Sequence, residues 1–160
     1  MAKTVNTEPV SGKKVAKVPV IMQLEALECG AACLDMILAY YGKWVPLELV
    51  RRDCGVSRDG SNAKNVLAAA RNYGLICDGY KVSCEVLKEE GTFPCILFWN
   101  NNHFVVLDGF KRNKAVLNDP ARGVVEVPMN EFERSFTGIM LELKPGEAFV
   151  PGRSEERRVG

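Results

Sequence analysis

The chain has 160 residues, 47% of them hydrophobic and 26% charged, which is enough to close one well-packed domain and short for two. Twenty-one basic against twenty acidic residues leave a net charge of +1, which excludes nucleic-acid binding driven by bulk electrostatics. No apolar run approaches the roughly 18 residues that cross a bilayer. Lys3, Lys13, Lys14 and Lys17 are followed by no apolar stretch of the signal-peptide kind, so a soluble, cytoplasmic protein is expected.

In chain order, residues 1–17 mix Thr, Asn, Glu, Lys and Gly without period and read as a flexible arm, with ordered structure beginning near Val18-Pro19-Val20. Glu28 to Tyr41 reads as a helix closed by Gly42. Its apolar residues (Cys33, Leu34, Met36, Ile37, Leu38, Tyr40, Tyr41) run nearly all round, the mark of a helix buried on several sides. Pro46 opens a short helix ending at Gly55. Ser61 or Asn62 can cap a third, through Val66 and Ala70 to Gly74.

After Gly74 the pattern changes. Leu75-Ile76-Cys77 and Tyr80-Lys81-Val82 read as a broken strand, and Ser83 caps one or two helical turns to Glu90. Four short β-rich runs follow, Cys95 to Trp99, His103 to Leu107, Lys114 to Leu117 and Val124 to Val127, separated by Asn, Gly and Pro turns as an antiparallel sheet requires. A helix over Met129 to Phe136 and a strand from Ile139 to Leu143 complete a domain spanning residues 18–144. The remainder, residues 145–160, reads as a linker or solvated tail. Helices first and sheet second is an α+β arrangement, an N-terminal helical half packed on an antiparallel sheet.

The six cysteines are Cys29, Cys33, Cys54, Cys77, Cys84 and Cys95. A chain this long and apolar does not need disulfide staples, and reduced thiols are expected. There is no C-x-x-C pair, and the single histidine has no cysteine near it in sequence, so neither a metal nor any other cofactor is expected. Cys29 and Cys33 share one helix face but have no matching second pair.

Cys29 stands out because Cys29-Gly30-Ala31-Ala32-Cys33 opens the first helix. A thiol at a helix start meets the positive end of the helix dipole and backbone N–H groups, which favour an anionic sulfur and can hold an oxyanion. Gly30 and Ala31 leave room for a substrate backbone. Gln23, six positions upstream, can fold back and offer an amide donor. His103 is the base that folding must bring in. Asp108, five residues along the same strand and roughly 17 Å away at strand rise, cannot orient that imidazole. The turn at Lys111 to Asn113 sends the chain back antiparallel, which brings Asp119 within reach and points Asn118 the other way. An aspartate on one ring nitrogen fixes the tautomer and leaves the other for the thiol.

Together, Gln23-(five residues)-Cys29-Gly30-Ala31-Ala32-Cys33-Leu34, Tyr40-Tyr41-Gly42, His103-Phe104-Val105-Val106-Leu107 and Asp119-Pro120 resemble the C39 cysteine peptidases. These are the papain-like N-terminal domains of bacterial peptidase-containing ABC transporters that mature and export bacteriocins and lanthipeptides. The resemblance runs from about Val18 to Leu143. It implies a papain-like fold, with Cys29 as nucleophile, His103 as base and acid, Asp119 as orienter, and Gln23 with the Cys29 N–H as oxyanion hole. The implied substrate is a precursor peptide whose leader ends in Gly-Gly, Gly-Ala or a similar small pair, cut just after it. Met22, Leu24, Leu27 and Trp44 are candidates to line the leader groove.

Two departures are visible. Glu28 stands where the family usually has Asp, from which no loss of chemistry is expected. No Walker-type glycine loop is present, so the transmembrane and ATP-binding parts of such a transporter would be partners outside this chain, which is either an excised peptidase domain or a peptidase that works alone. A leader-docking module without catalysis, and a papain-like hydrolase or acyl transferase with another substrate, are the alternatives.

Overall fold

The computed structural model describes residues 8–55 and 62–153. In chain order the described elements are β1 (Val10–Ser11), α1 (Cys29–Tyr40), β2 (Lys43–Trp44), α2 (Leu47–Asp53), α3 (Ala63–Asn72), β3 (Leu75–Lys81), α4 (Cys84–Glu90), β4 (Thr92–Phe93), β5 (Cys95–Trp99), β6 (His103–Lys111), β7 (Lys114–Asp119), β8 (Gly123–Pro128), α5 (Met129–Ser135), β9 (Phe136–Pro145) and β10 (Gly152–Arg153). A 3-10 turn, Ala26–Glu28, runs directly into α1.

The helical elements come first because their apolar residues recur at helical spacing. From Gly30 to Tyr40 every residue of α1 is buried, which explains its all-round apolar sequence. It packs on β6 and β5 and is flanked by α2 and α3. Asn62 caps α3 by accepting from the Asn65 amide, and Ser83 caps α4 by accepting from Val86. The alternative cap for α3, Ser61, lies outside the described residues.

Six strands form the main sheet in the order β3-β9-β5-β6-β7-β8, each pairing antiparallel. Alternation along the strands divides the core in two. Ile96, Phe104 and Val106 face the cluster built around α1, whereas Cys95, Leu97, Val105 and Leu107 face a second cluster with Phe132 of α5 and Leu87 of α4. Both faces of the sheet are covered, so its central strands are rigid supports for whatever stands at their ends.

Three segments depart from the sequence reading. Leu75 to Lys81 is one unbroken strand, because all seven residues pair with β9 from Pro145 to Ile139 and so carry Gly79 through. Residues 8–17 are not a loose arm: β1 pairs with β4, Ala16 is 3% exposed, and its amide donates to the Asp108 carbonyl at 2.8 Å. That carbonyl belongs to a register irregularity between Leu107 and Gly109, so the strap satisfies a group the ladder leaves over. The described part of the tail also docks. β10 pairs parallel with β2, Phe149 packs on the helical core, and the Lys43 ammonium donates to the Val150 carbonyl at 2.8 Å. Residues 1–7 and 154–160, which the sequence reading gave to the arm and the tail, lie outside the described residues.

Candidate active site

Cys29 is the first residue of α1, partly exposed at one end of the sheet, with the rest of its helix locked in the core. The helix does not begin bare, since the 3-10 turn precedes it. That turn is held by Glu28, 5% exposed, whose Oε1 accepts from the Leu24 amide at 2.7 Å and the Glu25 amide at 3.1 Å. Its other oxygen lies 3.3 Å from the Arg51 guanidinium. Glu28 therefore ties the segment carrying Gln23 to the residue next to the thiol. The carboxylate in this position does structural work.

His103 opens β6 after a tight turn in which Asn100 and Asn101 take positive φ, a conformation asparagine tolerates better than most residues. Its Nε2 donates to Asp119 Oδ1 at 2.8 Å, which leaves its other ring nitrogen free, and the Cys29 thiol lies near enough to act on the ring. These hydrogen bonds, Asp119's the larger influence and Cys29's next, outweigh the opposing effect of burial and raise the imidazole to about 9.

Asp119 ends β7 and is 3% exposed. Burial pushes its carboxyl upward, but bonds from His103, the Ala121 amide at 2.8 Å and Arg122 Nε at 3.1 Å prevail and hold it below its ordinary value. Asn118 does point the other way, donating to the Val18 carbonyl at 3.1 Å. Asp108 stays in the core, 3% exposed, with burial pushing its carboxyl up to about 8.

Gln23 is pinned by its backbone, whose amide donates to the Pro120 carbonyl at 2.9 Å. Its Nε2 donates to Glu25 O at 3.1 Å, and a carboxamide nitrogen has a second hydrogen to offer. It lines the same hollow as His103 and Asp119. Cys33, one turn below Cys29, is fully buried, and burial first, then the neighbouring Cys29 and Asp119, push its thiol well up. That thiol is inert packing. No cluster able to hold a metal occurs among the described residues.

The thiol opens into a hollow of about 500 Å³ lined by Leu27, Ala26, Asn102, Phe98, Phe104 and Ile139, with Asn62, Ala63 and Asn101 at its edge. Of the groove candidates, Leu27 is in this lining. Met22 and Leu24 are 43% and 83% exposed and, with Val20, alternate along the segment before the 3-10 turn. Trp44 is not in this surface. It sits in β2 past the far end of α1, whose twelve residues span about 18 Å. Phe98, Phe104, Asn102 and Ile139 escaped sequence reading because they look like ordinary strand and turn residues. The one available signal was the Asn100-Asn101-Asn102 run beside His103.

A thiol at the start of a central helix, facing an imidazole held by a buried carboxylate on an antiparallel sheet, defines a papain-like cysteine peptidase. The model of the Peptidase C39 family matches residues 17–148, and the chain belongs to that family. The colicin V secretion/processing ATP-binding protein CvaB of Escherichia coli is 41% identical over 133 residues, covering 83% of this chain and 19% of its own length. The probable microcin-H47 secretion/processing ATP-binding protein MchF of Escherichia coli is 43% identical over 136 residues, with 84% and 19% covered. The chain thus spans about a fifth of the length of these relatives. Among solved structures, a double glycine motif protease from an AMS/PCAT transporter, in complex with the leader peptide, is 70% identical with a TM-score of 0.83, over 86% of this chain and 97% of that one. The peptidase domain of Streptococcus ComA, 21% identical with a TM-score of 0.75, shares the fold over 81% of this chain and 98% of its own. No described helix is long and apolar enough to cross a membrane.

Proposed function

We propose that this peptidase removes leader peptides from bacteriocin- or lanthipeptide-type precursors by cutting after a Gly-Gly or Gly-Ala pair, with no cofactor. The observation that carries the reading is the Cys29–His103–Asp119 line beside an apolar hollow. The Cys29 sulfur, as thiolate beside the imidazolium, attacks the carbonyl carbon of the second small residue. Charge that develops on the carbonyl oxygen is taken by the Cys29 N–H and the free amide hydrogen of Gln23, a donor worth about 3 kcal/mol in the transition state. His103 gives its proton to the leaving nitrogen as the C–N bond breaks, leaving a thioester. Water, deprotonated by His103, then releases the leader as a carboxylate. Asp119 holds the ring and balances its charge throughout.

Phe98 and Phe104 wall the hollow at the thiol, an apolar lining that suits small residues without polar side chains. The exposed apolar row Val20, Met22 and Leu24 supplies a surface for the apolar face of a leader helix. We assign the site to the cytosol, beside the transmembrane and ATP-binding parts of an exporter. The named relatives, several times longer than this chain, support that placement.

The test is mass spectrometry of double-glycine leader peptides incubated with the protein and with Cys29→Ala. Cutting after the small pair, absent in the variant, is expected. Tight binding without cutting by the parent protein would replace this reading with that of a docking module. An intact Cys–His–Asp line weighs against that outcome.

A further inference from the structure

The hollow containing Cys29 is not the end of the cleft. At Ala26 and Asn102 it meets a second hollow, also of about 500 Å³, which is lined by His103 where the first is lined by Cys29. The two differ in chemistry. The first has Phe98, Phe104, Ile139 and Leu27 in its walls. The second contains His103 and Asp119 themselves, with Gln23, Asn100, Arg122 and Glu131 around them. We propose that this second hollow receives the residues following the scissile bond, and that Glu131 sets a preference for a cationic side chain there. The proposal rests on the peptidase reading above and assigns the half of the substrate which that reading leaves unplaced.

The argument is chemical. When the peptide bond breaks, the acyl half stays bonded to sulfur, whereas the amine half must take its proton from the imidazole. The departing nitrogen therefore lies within hydrogen-bond reach of His103, and the residue carrying it continues into the space on the imidazole side. That space is the polar hollow. Its fixed charges are unequal in effect. Asp119 is consumed by His103, Ala121 and Arg122, and Arg122 in turn spends its Nε on Asp119. Glu131, in the first turn of α5, is exposed and enters no ion pair among the described residues. With Asp119 held by both His103 and Arg122, Glu131 is the one carboxylate lining the hollow with no cation on it, so a lysine that reaches it from the first or second position after the cut is favoured over a glutamate there. For a solvent-facing carboxylate the preference is modest, about threefold to fivefold in kcat/KM.

Two precursor peptides, identical except for Lys or Glu at the second residue after the small pair, are mixed and cut in one tube. Their relative rates give the selectivity independently of how much active enzyme is present. The parent should favour Lys, Glu131→Gln should bring the ratio toward unity, and Glu131→Lys should reverse it. A ratio that is the same in all three proteins would overturn the proposal while leaving the peptidase reading intact. No cutting of either peptide by the parent would sink the peptidase reading, and this proposal with it.

Discussion

Replacing Asp119 by Asn tests the centre of the site. The amide keeps an oxygen that can accept from His103 but removes the negative charge opposite the ring. Asp119 is the largest single cause of the rise of the imidazole from 6.5 to about 9, so its neutralisation should remove at least half of that rise, about 2 kcal/mol. At pH 7.5 the parent ring is almost wholly protonated. A loss of about 2 kcal/mol returns the pKa to about 7.5, so roughly half of the variant would carry the imidazolium that the thiolate pair needs. Poorer ring orientation adds to this, and kcat/KM should fall roughly tenfold to a hundredfold. The sign of the pH effect is fixed: protonated His103 is the active partner, so the alkaline limb of the parent lies near pH 9 and moves to lower pH in the variant. The chain has one histidine, so a single imidazole proton resonance reads its titration directly. An unchanged titration midpoint in Asp119→Asn would refute the assignment of the shift to this carboxylate.

Two further predictions concern groups around the site. Glu28→Ala leaves the Leu24 and Glu25 amides without their acceptor, which should cost about 1–3 kcal/mol in denaturant unfolding; kcat should fall more than KM rises, because the turn between Gln23 and Cys29 loosens, and Glu28→Asp should restore most of both. Asp108 has a folded-state pKa raised by burial from 3.8 to about 8, so its folded form retains a proton that the unfolded chain releases, and stability is lost as pH rises from about 4 through 8. Asp108→Asn should therefore unfold close to the parent at pH 4 and be more stable by on the order of 1–3 kcal/mol at pH 8.5, measured by urea titration at both.

How legible all this was in sequence depended on how local each signal is. α1 could be read because its burial is written in an unbroken apolar run and its end in Gly42. The reach from His103 to Asp119 could be read because a tight turn fixes which residues of neighbouring strands meet. Terminal segments gave no such signal. Val10–Ser11 and Gly152–Arg153 are strands only because distant edges at β4 and β2 accept them, and two residues have no periodicity to show. Gly79 looked like a break because its partner strand was invisible. Trp44, one of the apolar candidates for the leader groove, stands beyond the far end of α1 and so does not line the hollow at the thiol. The lining of the two hollows is a property of how Phe98, Ile139 and Glu131, from three separate elements, converge.

The bond between the Gln23 amide and the Pro120 carbonyl has a consequence for reshaping substrate range. It ties the segment that leads to Cys29 to the loop that follows Asp119, and both of its atoms are main chain. Side-chain replacement at either position leaves it in place, with proline at 23 as the exception because it lacks the donor. The gap between thiol and imidazole is thus insulated from most mutational drift, while the walls on either side remain free to vary. Laboratory evolution toward larger residues at the cut should accordingly collect its changes at Phe98, Phe104 and Ile139, and leave the 23–120 fastening untouched.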